Sequence, residues 1–173
     1  MKKFVAVVFY AASLVMFICA VASANDLTLL DAKQTLALWK RTIDLQADIS
    51  ARRTGEPTKV IMCLLLIGEH LMPVQTDLYT SYFLLQSSGA MANSNDEKMV
   101  LFVGSPAFEK TVSDIDGALR GEEATLNECD KSPLTYDKAK AAIELLRATK
   151  ISVAPIIQRA TDSGNQLLRD ITR

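Results

Sequence analysis

The stretch KVIMCLLLIGEHLMPVQTDLYTSYFLLQ, Lys59 to Gln86, decides the fold. Val60 to Ile67 is eight apolar residues in a row. Leu71, Met72, Val74, Leu78, Tyr79, Tyr82, Phe83, Leu84 and Leu85 continue it. A helix that is apolar on every side has to be wrapped by its neighbours. The stretch therefore predicts a central helix to about Ser88, with the rest of the chain packed around it. Pro73 should bend this helix, because proline removes a backbone donor and crowds the preceding turn.

On the N-terminal side, Leu29, Ala32, Leu36, Trp39 and Ile43 repeat at three- and four-residue steps. They predict an amphipathic helix from about Leu27 to Arg53. Asp26 or Thr28 would cap its start, and Gly55 suits the position past its end. On the C-terminal side, a third helix is expected from about Asp96, with Phe108, Val112, Ile115 and Leu119 at helical spacing. Gly104 and Pro106 should kink or split it, and Gly117 and Gly121 should weaken its second half. The fourth runs from about Thr135 to Ile171. Its stripe of Ala139, Ala142, Leu146, Thr149, Val153, Ile156, Ala160, Ser163 and Leu167 is the most regular in the chain. Small residues there, Gly164 among them, would let a neighbour come close. Pro155 should bend it.

Four long helices with short loops predict an all-α, up-down-up-down four-helix bundle with kinked helices. Val60 to Ile67 and Met99 to Val103 would also suit strands. That leaves an α+β fold with a small two-stranded element as the alternative, disfavoured because helical spacing continues beyond both runs.

The chain opens with Lys2, Lys3, an apolar run from Phe4 to Ile18, and Ala22-Ser23-Ala24. This is the pattern of a cleaved signal peptide spanning residues 1–24, followed by a single helical domain, 25–173. Cys19 falls in the leader, and Ile18 stands where a lipobox needs a small residue. The protein is expected in the periplasm or outside the cell. Cys63 and Cys129 then remain and should form a disulfide, as an even count in an exported chain implies. In an antiparallel bundle, the start of the second helix and the end of the third lie together, so pairing and fold agree. With 19 basic and 20 acidic residues spread along the chain, no patch suggests nucleic acid.

Candidate chemistry is sparse. His70, the only histidine, follows Glu69 and has Met62 and Met72 nearby. A lone His with Met partners is a weak signal for haem, and no Cys-x-x-Cys-His is present, so no cofactor is expected. Val112 to Glu123 places Asp114, Asp116, Gly117 and Glu123 at calcium-loop positions, but Val112 stands where the first carboxylate must be. No metal site is expected. Lys40, Arg41, Arg52, Arg53 and Lys59 gather around the first two helices. Tyr79, Tyr82 and Phe83 form an aromatic cluster suited to core packing or to a wet rim.

These features support three functional expectations. The first is an exported binding module engaging a protein partner, as an inhibitor, immunity factor, adaptor or chaperone would. The second is a small-ligand or sensor domain using His70, Tyr79 and Tyr82. The third is a small helical enzyme relying on Arg41 or His70.

Overall fold

A computed structural model describes residues 24–129 and 132–172. It contains four helices: α1 Ala24–Ala51, α2 Thr58–Gly89, α3 Ser94–Glu128 and α4 Pro133–Ile171. No strand occurs among the described residues, so both runs that would suit strands are helical. The leader expectation concerns residues 1–24, of which only Ala24 is described.

Consecutive helices pack most closely, α1 on α2, α2 on α3 and α3 on α4, as an up-down-up-down bundle requires. Their ends follow local rules. The Ser132 side chain accepts from the Thr135 backbone N–H at 3.2 Å, and Pro133 occupies the first helical position, where its missing donor costs nothing. The Asn93 side chain accepts from the Asp96 N–H at 2.9 Å, starting α3 at Ser94, just before the expected Asp96. Gly55 makes the α1–α2 turn with φ 85°, a conformation that favours glycine. The expected cap of α1 is corrected. The chain is already helical at Ala24, and the Thr28 hydroxyl donates to the Glu97 carboxylate on α3 at 2.7 Å.

Pro106 does not split α3, which is continuous. Pro73, Pro106 and Pro155 are all exposed. A proline on the outward face leaves the unpaired carbonyl one turn back on that same face, where water satisfies it.

The α4 stripe is buried as expected, except that Gly164 rather than Ser163 is the buried residue near its end. The α1 stripe is rotated. Ala32, Thr35, Leu38, Thr42 and Ile49 face inward, while Trp39 is half-buried and Ile43 exposed. The two threonines tolerate the core because their hydroxyls donate to carbonyls of their own helix, Asp31 O at 2.9 Å and Trp39 O at 2.7 Å.

Polar contacts stitch the helices. Ser81 and Thr111 share a 2.9 Å hydrogen bond between α2 and α3, and Gln75 donates to the Thr42 carbonyl at 3.1 Å. Arg159 of α4 clasps Asp31 of α1 through two hydrogen bonds, 2.6 and 3.2 Å. Lys138 pairs with Asp48 near the opposite end. The Cys63–Cys129 disulfide is present, with Cα atoms 5.8 Å apart across a separation of 66 residues. It joins the early turns of α2 to the end of α3.

The central-helix expectation needs correction. Leu64, Ile67, Leu71, Val74, Leu78 and Leu85 of α2 are buried. Met62, Leu65, Leu66, Met72, Tyr79 and Phe83 are exposed. The bundle wraps only part of this helix and leaves an apolar face in solvent.

Glycines provide a direct test of the packing. A Cβ on Gly164 would stand 2.6 Å from the Phe102 backbone nitrogen, whereas one on Gly117 would meet nothing within 4 Å. Gly164→Ala is expected to cost roughly 1–3 kcal/mol through overpacking. Gly117→Ala should gain about 0.5–1 kcal/mol from helix propensity. Urea unfolding of both variants checks this, and equal effects would refute the α3–α4 close approach.

Candidate functional site

Two features of α2 remain after the core is accounted for: a cleft beside its first half and an aromatic face on its second.

The cleft lies between the start of α2 and the end of α3, with a volume of about 1040 Å³. Met62, Cys63 and Leu66 form one wall, Gly121, Ala124 and Thr125 the other, and Cys129 closes one end with the disulfide. Lys59 and Glu128 bring opposite charges to the lining. The opening exists because α3 presents small residues there. Gly117 and Gly121 are one turn apart, and Ala124 follows on the same side.

His70 stands in this groove. It lines both the main cleft and a smaller hollow of about 400 Å³ that shares Leu66 and is bounded by Pro73, Gly117 and Ala118. The imidazole occupies the place a side chain at 121 would fill. A Cβ on Gly121 would lie 2.8 Å from its Cε1 and Nε2 atoms. On its other side, Nδ1 approaches Oε1 of Glu122 at 3.5 Å.

Glu122 is fully buried, and neither carboxyl oxygen has a hydrogen-bond partner among the described residues. Burial pushes its carboxyl up to about 8, since a charge away from water is costly. The neutral acid is therefore the form held at pH 7. Nothing in the sequence pattern singled this residue out; of the adjacent acids only Glu123 fell in a motif, at a calcium-loop position. Only the fold separates them: Glu123 is exposed and accepts from Arg147 at 2.9 Å.

The calcium-like segment is helical throughout. Lys110 bonds Asp114 at 2.7 Å, which holds that carboxyl below its ordinary value. Lys150 bonds Asp116 at 2.6 Å. Lys110 also bonds Asp77 at 2.8 Å. Burial nevertheless raises the Asp77 carboxyl, outweighing the lysine. Among the described residues, no three His, Cys, Asp or Glu side chains group to hold a metal ion.

The aromatic face joins α1 to α2. Trp39 and Tyr79 have ring centroids 5.3 Å apart, and Tyr79 and Tyr82 5.8 Å, both tilted. Tyr79 is 48% and Phe83 60% exposed, with Ile43 exposed on α1. The structure thus brings Tyr79 and Tyr82 together and adds Trp39. His70 lies two turns or more from them along α2, in a separate setting. Arg41 is exposed on α1, outside the cleft lining.

No family model, curated protein or solved structure matches this chain.

The buried acid has a measurable consequence. Its folded value of about 8 lies above the ordinary 4.5. Between these values the folded state keeps a proton that the unfolded state has lost, so stability falls as pH rises through this window. The loss is on the order of 5 kcal/mol at ~1.4 kcal/mol per unit. Glu122→Gln is expected to match the parent near pH 5 and to exceed it above pH 8 in urea unfolding. Parallel pH profiles would count against a buried, unpaired Glu122.

Proposed function

We propose that the protein acts by binding: an exported helical bundle that engages another protein through the outward face of α2. The observation that carries this reading is the exposed apolar row from Met62 to Phe83, with Trp39 and Tyr79 in ring contact beside it. Monomeric proteins rarely leave a large contiguous apolar patch in water. Aromatic side chains and methionine are enriched where proteins meet. Tyr adds area at little conformational cost, and anchors of this kind dominate binding energy. An inhibitor, immunity factor, adaptor or chaperone would each use such a face. The leader pattern and the disulfide support a periplasmic or secreted location.

A second reading rests on the cleft. Its volume is of the size small-molecule sites have, about 300–1,000 Å³, and His70 offers a polar group against apolar walls. A ligand there would raise the melting temperature, since it binds only the folded state. Turnover ranks behind both readings, since Arg41 lies away from the groove that His70 occupies.

The protein-partner reading is tested by placing a photo-crosslinking residue at Tyr79, and at exposed Ile151 of α4 as control, in the protein exported by its own host. Position 79 is expected to yield a discrete protein adduct and position 151 none. Tyr79→Ala should then weaken that complex about tenfold or more. Equal or absent cross-linking at the two positions would remove the reading.

A further inference from the structure

The pattern of exposure along α2 carries more than the fact of it. From Lys59 to Gln86 the exposed positions recur at steps of three and four residues, with an average spacing near 3.5. That is the spacing of a seam that meets another helix along its length. The row is also the same read in either direction from the point between Met72 and Pro73. Met62 and Phe83 are equidistant from that point, as are Leu66 and Tyr79, Leu65 and Thr80, and Glu69 and Thr76. Every one of these residues is exposed.

The geometry points to a second copy of this chain as the occupant: two α2 helices packed antiparallel about a twofold axis passing between Met72 and Pro73. This rests on the protein-partner reading above and names the partner. A twofold contact requires a patch that can meet itself, and the even spacing of this row permits that, while the axis at Met72–Pro73 centres the full run from Lys59 to Gln86. Met62 of one copy meets Phe83 of the other, Leu66 meets Tyr79, and Met72 meets Pro73. Glu69 is the one acidic residue exposed along the row between Lys59 and Gln86. In the antiparallel pairing it faces a Thr76 hydroxyl, and the two Glu69 carboxylates stand apart by about 10 Å of helix axis, a full screening length. A parallel pairing would set them side by side.

The available area reaches the lower end of what a specific interface buries, about 1,200 Å² over both partners. Met62, Leu65, Leu66, Met72, Tyr79 and Phe83 are 54, 39, 40, 55, 48 and 60% exposed. That amounts to about three whole side chains, or roughly 600 Å² per copy at ~200 Å² each. Exposed Ile43 flanks the row. A stable interface buries about 800 Å² per partner. A lipid surface fits less well. By length and composition α2 could span a membrane, but half of its most apolar window is buried in the bundle. Lys59 is the one cation exposed along the row to attract anionic headgroups.

The experiment is sedimentation velocity and native mass spectrometry on the full chain, exported through its own leader, at micromolar concentration. A dimer is expected. Phe83→Glu should weaken it at least about thirtyfold, and Ile151→Glu should leave it unchanged. Both variants are checked for helical circular dichroism and an intact disulfide. Met72→Cys, beside the axis, should form a covalent dimer under mild oxidation, while Ile151→Cys should not. A dimer indifferent to Phe83→Glu would place the contact elsewhere and overturn the proposal. A monomer would overturn it too, and cross-linking at position 79 then tells the two failures apart. A different protein captured there leaves the partner reading standing. Binding of the monomer to phospholipid vesicles, or no capture at all, removes both.

Discussion

A helix in a four-helix bundle has two close neighbours and one diagonal one, so the bundle can cover only part of its circumference. That limit governs this molecule. α4 has a single apolar stripe, and the bundle buries nearly all of it. α2 is apolar all round, and its surplus has nowhere to go. At about 25 cal/mol per Å², leaving roughly 600 Å² of apolar surface wet forgoes on the order of 15 kcal/mol of gross burial. Association costs an estimated 4–15 kcal/mol in lost freedom. Area alone does not set affinity.

The same limit explains the rotation of α1. An inward Trp39 would have competed with α2 for core volume. With Thr35 and Thr42 turned inward, the core face of α1 is narrow, and their hydroxyls are satisfied within the helix. Trp39 is released to the boundary, where it meets Tyr79. The aromatic face is therefore a product of two helices, and its α1 component depends on residues that look unfavourable for a core. Buried threonines next to a helix's own carbonyls are inexpensive. Buried Glu122, with no hydrogen-bond partner for either oxygen among the described residues and only His70 Nδ1 nearby, is not. Its cost is carried at the end of the bundle where the Cys63–Cys129 bridge holds α2 and α3 together.

Periodicity and cysteine placement made the architecture legible. Four helices followed from spacing and local rules that the packing does not override, and the disulfide followed from an even cysteine count together with the antiparallel order of the helices. The α4 stripe, Gly55 and Ser132-Pro133 are examples of those local rules. Three things were not legible. The orientation of α1 depended on which neighbour claimed Trp39. The exposure of Tyr79 and Phe83 depended on how many helices surround α2, and a uniformly apolar run does not encode that number. Glu122 was hidden because one residue of helical phase separates an exposed acid from a buried one. The groove was half legible: Gly117 and Gly121 were read as weak points of a helix, though their four-residue spacing puts the missing side chains on one face. His70 fills part of that space.

The cleft and the seam are not independent. Met62 and Leu66 line the cleft and also belong to the exposed row on α2. Anything packed along that row covers part of the cleft mouth, and anything seated in the cleft touches side chains the row needs. Were both proposed sites occupied, coupling between them would be reciprocal: whatever the partner did to ligand affinity, the ligand would do to partner affinity. The sign follows from which side chains are shared. A ligand held by the Met62 and Leu66 side chains would compete with the proposed seam for them. A ligand that fits beneath them, against Gly121 and His70, leaves them outward. The disulfide ties the two walls of the cleft together at one end.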